Sequence, residues 1–125
     1  MKKETLDRRR GIILGVLTKH IGGQKAIDMG ELFSLVLGKE YKGSKINGTR
    51  ELRRIITELR KEGIPICSAT AKVGGGYYLP AVASELEGFL QPYEKIALQK
   101  LYIISRIKNI GLKELLGQME LELEG

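Results

Sequence analysis

Residues 47–63, NGTRELRRIITELRKEG, are the stretch on which the fold turns. Leu52, Ile55, Ile56 and Leu59 recur at i, i+3, i+4 and i+7, which is one apolar stripe of an α-helix. Stepping roughly 100° per residue from Leu52 places Arg50, Arg53, Arg54, Thr57 and Lys61 on the opposite half, roughly 100° to 200° round. Asn47, Gly48 or Thr49 can occupy the N-cap, where a short polar side chain accepts from an orphan N–H. Gly63 can take the left-handed conformation that closes a helix, and Pro65 prevents continuation. A helix with one apolar face and one arginine-rich face suits the groove of a nucleic acid. It also suits a solvated surface, so the flanking sequence has to choose.

Upstream, Arg8, Arg9 and Arg10 lead into GIILGVLTKHIGG. Ile12, Ile13, Val16 and Leu17, with Leu14 and Ile21 at the edges, form a broad apolar face, so a first helix ending at Gly22-Gly23 is expected. Met1 to Asp7 is polar and expected to fray. The arginine triplet reads as a solvated first turn. His20, near the end of that helix, reads as structural. Gln24 to Gly38 reads as a second helix that buries Leu32, Phe33, Val36 and Leu37, and the polar, glycine-punctuated GKEYKGSKING connects it to residues 47–63.

Downstream the period changes from helical to two. Ile64 and Ile66 alternate with Pro65 and Cys67 in a short strand beginning beside a proline. AKVGGG is a turn, where glycines supply the positive φ that a hairpin needs, and Tyr77-Tyr78-Leu79 resumes β character before Pro80. Successive strand residues face opposite ways, so one of Tyr77 and Tyr78 is expected in the core and the other exposed. Cys67 reads as a small, partly buried strand residue.

Three helices followed by strand, glycine-rich turn and strand is the order of a winged helix, carried by GTRELRRIITELRKEGIPICSATAKVGGGYYLP. The stretch resembles the DNA-binding domain of biotin-operon-repressor-type regulators, in which a helix ends in Leu-Arg-x-x-Gly and the chain returns as Gly-Tyr-x-Leu; here these are Leu59, Arg60, Gly63, Gly76, Tyr77 and Leu79. It is still more similar to small helix-turn-helix proteins of phage and prophage genomes. The resemblance covers roughly residues 8–80. It implies an α+β, mainly α fold, a winged helix-turn-helix (three-helix unit plus two-stranded β wing) over 8–82, with a C-terminal helical extension over 83–125. No ligase or effector-binding domain is expected to follow, so the biotin chemistry of those regulators is not expected to carry over.

In the extension, Ser84 can cap a short helix SELEGFL, and Pro92 suits the first turn of a new one running from Tyr93 to Asn109. That helix and LKELLGQMELEL carry more apolar surface than one side of a small domain buries, so they are expected either to pack on the first helix or to form a homodimer interface, the dimer being preferred. A strict a/d heptad is absent.

Charge supports a polyanionic partner. The 125 residues hold 21 Lys and Arg against 15 Asp and Glu, a formal net charge of +6. Between Lys39 and Lys61 the basic residues are Lys39, Lys42, Lys45, Arg50, Arg53, Arg54, Arg60 and Lys61, against Glu40, Glu51 and Glu58, so most of the excess sits on the connection and the third helix. Arg50, Arg53 and Arg54 are the expected base or near-base contacts, because a guanidinium can pair bidentately with guanine O6 and N7. Thr49, Thr57, Lys61 and Lys45 are expected on phosphates, and Lys72 at the wing tip on the adjacent backbone or minor groove.

Other chemistries find little support. One Cys and one His exclude a disulfide and a multi-ligand Cys/His zinc site within the chain. Gly74-Gly75-Gly76 lacks the Gly-Lys-Ser/Thr ending of a phosphate loop. No nucleophile–base pair, paired carboxylates, cofactor motif or small-molecule site stands out, and no apolar run reaches the roughly 20 residues that span a bilayer. The expectation is a cytoplasmic, non-enzymatic protein that binds specific double-stranded DNA, either a bacterial or prophage transcription regulator or a phage-genome factor. The alternative is a protein-interaction module using a winged-helix scaffold in a replication or packaging assembly. RNA binding ranks third, for want of stacking aromatics on a sheet.

Overall fold

The structure, a computed structural model, describes residues 2–39, 49–69 and 75–124. It is mainly helical with one small antiparallel sheet: α1 (Lys3–Leu17), a 3-10 turn (Gly23–Lys25), α2 (Met29–Leu37), α3 (Arg50–Lys61), β1 (Cys67–Ala69), β2 (Gly76–Tyr78), α4 (Ala83–Lys108) and α5 (Leu112–Glu124). The chain divides into two compact units, residues 1–87 and 88–125, with the division falling inside α4. The connection 40–48 and the turn 70–74, with Lys42, Lys45 and Lys72, lie outside the described residues.

In the first unit α1 packs on α2 and α3, and α2 packs on α3. The core they enclose is built from Ile13 and Leu17 of α1, Leu32, Phe33 and Val36 of α2, and all four stripe residues of α3. Leu52, Ile55, Ile56 and Leu59 are each at most 2% exposed, as the stripe requires. The helical pattern of α1 reaches back to Lys3, so the N-terminal residues are ordered helix rather than a frayed end.

The second helix begins later than its apolar pattern suggests. Gly23–Lys25 form a single 3-10 turn, Ile27 pairs with Tyr77, and α2 starts only at Met29. Asp28 sets that start, its carboxylate accepting from the Gly30 and Glu31 N–H groups at 2.9 and 3.3 Å. Gly38 ends it in the left-handed conformation, φ 66°. The physical reason for the late start is sheet pairing. Ile27 and Tyr77 exchange N–H···O bonds of 2.8 and 2.9 Å, and Leu79 bonds to His20 and Gly22, so the chain on either side of the 3-10 turn is held beside β2 and the α-helix cannot start before Ile27. His20 is structural: its Nδ1 donates to the Lys25 carbonyl at 2.7 Å.

β1 pairs with β2 in the register Cys67↔Tyr78, Ser68↔Tyr77 and Ala69↔Gly76. Both tyrosines are buried, not one of the two. Tyr77 packs on the main core. The ring of Tyr78 lies over Gly23 in the neighbourhood of Glu85, so the second face of the strand is covered too. Cys67 is fully buried, and burial pushes its thiol pKa up, with Glu85 adding to the shift. That makes it a packing residue rather than a reactive one.

Gly76 is where the sequence has no freedom. At φ 152°, a Cβ on this residue would lie 1.9 Å from the Ile27 carbonyl oxygen. The third strand-like segment approaches so closely that only glycine fits.

Beyond the sheet, Pro92 does not start a helix. It sits inside the single long α4, and the segment SELEGFL runs on through it. An interior proline removes one helix hydrogen bond and crowds the preceding turn. Here strong helix-forming sequence on either side outweighs that local cost.

A basic face on the third helix as candidate functional site

The residues of α3 sort by angle into three sets. Arg50, Arg54, Thr57 and Lys61 form one line at i, i+4, i+7 and i+11, roughly opposite the buried stripe. All four are exposed. Arg54 makes no hydrogen bond or ion pair among the described residues, so its guanidinium is available to a ligand. Lys61 lies 3.5 Å from Glu58 across an exposed i,i+3 pair, which offers little hindrance to a stronger anion.

The acidic flank of the helix is turned to other work. Glu51 accepts from Arg9 at 3.0 Å, and Glu62, just past the C-terminus, takes a two-pronged contact from Arg10 whose second bond is 2.6 Å. The Arg10 hydrogen bond holds the Glu62 carboxyl below its ordinary range, and Glu62 in turn raises Arg10. Arg9 and Arg10 are therefore ion-paired partners of α3 and not a solvated turn. Their effect on the site is electrostatic. Two carboxylates that would otherwise offset Arg50 and Arg54 are compensated on the side facing α1, leaving the opposite face with net positive charge.

The remaining flank holds Arg53 and Arg60. Arg60 donates from Nε to the Ile66 carbonyl at 2.7 Å, which ties the end of α3 to the start of β1. The arginine of Leu-Arg-x-x-Gly thus has a structural task. Arg53 donates from Nε to the Thr49 hydroxyl at 3.2 Å. Thr49 itself is 0% exposed, which corrects its expected place on a phosphate: it is enclosed, and its oxygen is engaged by Arg53. The Thr57 hydroxyl donates to the Arg53 carbonyl at 2.9 Å, so it reaches a phosphate only by giving up that bond.

Of the expected contacts, the structure therefore gathers Arg50, Arg53, Arg54, Thr57 and Lys61 on one helix and sets Thr49 beneath them. Two supports were not read from the sequence. The Arg9 and Arg10 pairs join positions far apart in the chain, and no short-range spacing rule reports such pairs. Glu85 accepts from the N–H groups of Gly23 and Ala81 at 3.0 and 2.8 Å, anchoring the start of α4 to the 3-10 turn. Those two bonds hold its carboxyl below the ordinary range, Gly23 contributing first.

Among the described residues no group of three His, Cys, Asp or Glu side chains could hold a metal ion, and no helix is long and apolar enough to cross a membrane. No family model, no curated protein and no solved structure matches the chain.

Proposed function

We propose that residues 1–87 form a winged helix-turn-helix domain that binds specific double-stranded DNA, with α3 entering the major groove. One observation carries this reading: the exposed line Arg50, Arg54, Thr57 and Lys61 on a helix whose acidic flank is compensated by Arg9 and Arg10. The element order supports it as well, three mutually packed helices followed directly by a two-stranded antiparallel hairpin. In this reading Arg50 and Arg54 face base edges, Arg53 reaches the groove from the flank, and Lys61 lies on the backbone. Lys45 and Lys72, which lie outside the described residues, would add phosphate contacts. The protein would act without catalysis, as a bacterial or prophage transcription regulator or a phage-genome factor.

The test is a fluorescence-anisotropy titration of the full chain with duplex DNA at two salt concentrations. Affinity is expected to fall steeply with salt, because each neutralised phosphate releases counterions. Arg50→Ala with Arg54→Ala is expected to weaken binding by about 2–5 kcal/mol if both read bases. Lys61→Ala is expected to weaken all duplexes alike and lower the salt slope by about 1. Affinity unchanged by the double substitution would remove α3 from the interface. The competing reading, a protein-interaction module, is favoured by the uncovered apolar surface of residues 88–125, and predicts no salt-dependent DNA affinity at all.

A further inference from the structure

The unit 88–125 leaves most of its apolar side chains uncovered. Leu115 is its one buried large apolar residue, while eleven others are between 36% and 87% exposed. At roughly 150 Å² or more for a large side chain, this leaves on the order of 1,000 Å² of apolar surface per chain. A standard interface takes roughly 800 Å² from each partner, so the uncovered area of this unit is enough to supply one. An open apolar groove of about 530 Å³, lined by Leu98, Gln99, Tyr102, Ile103 and Leu112, borders the stripe at Ile103 and adds to the uncovered surface of this unit.

Four of the seven uncovered large apolar residues of α4 in this unit line up on one side. Tyr93, Ile96, Ile103 and Ile107 are spaced as alternating threes and fours with Lys100 in the one remaining position. They fall within a band roughly 80° wide. Ser105, the one buried residue of α4, lies roughly 160° from the centre of that band. The stripe therefore lies opposite the one buried residue of α4, although Leu98 and Tyr102, nearer to Ser105, are uncovered as well.

Charge says what fits there. From Tyr93 to Lys108 the chain carries Lys95, Lys100, Arg106 and Lys108 against Glu94. α5 carries the reverse, Glu114, Glu120, Glu122 and Glu124 against Lys113. One chain thus holds a basic helix and an acidic helix, both with surplus apolar surface, which is a surface complementary to itself after a two-fold rotation.

We propose that a second copy of this chain covers this surface, in a two-fold dimer in which the acidic α5 of each copy lies along the basic, apolar stripe of the other copy's α4. The lysine at position 100 then sits inside the seam because an acidic helix faces it, and it fixes the register. This interface stands independently of any DNA binding by α3.

Size-exclusion chromatography with light scattering on the full chain tests it, with circular dichroism checking that each variant keeps its helical content. The wild-type chain is expected at twice the chain mass at micromolar concentration. Ile103→Glu with Ile107→Glu is expected at the single-chain mass. A wild-type chain at single mass up to the highest concentration would overturn the proposal, whatever else binds the stripe. The pairing itself is tested with two charge variants, Lys100→Glu/Arg106→Glu and Glu120→Lys/Glu122→Lys. Each alone places like charges against like and is expected to dimerise at least tenfold more weakly, and an equimolar mixture is expected to recover a mixed dimer. Variants that still dimerise at wild-type strength, or a mixture that stays monomeric, would overturn the arrangement.

Discussion

The two units solve the same physical problem differently. Residues 1–87 enclose their apolar side chains: the core cluster draws on α1, α2, α3 and β2, and its members are at most 6% exposed. Residues 88–125 have as regular an apolar pattern, yet Ile107 is 79% and Leu123 87% exposed. Periodicity alone does not say whether a stripe is covered. What differs is the number of elements that converge. Three helices and a hairpin can bury a stripe from every side, whereas a helix pair cannot. The first unit is a closed fold with a charged face to spare; the second leaves its apolar stripe uncovered.

Substitutions can break this contrast, and the largest effect is expected at Gly76. Gly76→Ala puts a methyl group against the Ile27 carbonyl and forces a strained φ, so a loss of about 4 kcal/mol or more is expected in urea unfolding. A loss below about 1 kcal/mol would mean that the pairing of Ile27 with Tyr77 is not as drawn.

The hairpin shows where legibility ended. The glycine run announced a turn, and the Gly-Tyr-x-Leu ending suggested a return strand, but the need for glycine at 76 arises from Ile27, a residue the helical pattern had assigned to α2. Tertiary pairing overrode the local period there. The same is true of Tyr78, whose burial depends on Gly23 and the start of α4. Within α3, by contrast, the stripe, the basic face and the stop were all legible, because each is a property of residues within one or two turns of each other. The compensated carboxylates Glu51 and Glu62 were not, since their partners lie in α1.

A second comparison pairs leucines. Leu17→Ala, in the closed core, is expected to cost about 3 kcal/mol through lost burial and a residual cavity. Leu121→Ala, 71% exposed, is expected to stay within about 0.5 kcal/mol. Equal costs would erase the distinction between the units.

Acid is expected to act on the first unit through Glu62 and Glu85. Both carboxyls are held below their ordinary value of 4.5 in the folded state, Glu62 first by its Arg10 hydrogen bond and Glu85 first by the Gly23 N–H. Their contribution is fully present above pH 4.5 and is lost as pH falls through the lowered folded values. Urea midpoints measured at neutral pH and below pH 4 should therefore fall, and Glu85→Gln should remove part of that fall. The smallest effect is a gain. In α5 nothing lies within 4 Å of a Cβ added at Gly117, and its φ is not positive. Gly117→Ala is expected to stabilise α5 by about 0.5–1 kcal/mol, read as increased helical content.

The most direct measurement is a titration of the 15N-labelled full chain with duplex DNA, followed by amide chemical shifts. The account predicts the largest changes at Arg50, Arg53, Arg54, Thr57 and Lys61, with the acidic α5 undisturbed. Changes centred on residues 112–124, or none on α3, would contradict it.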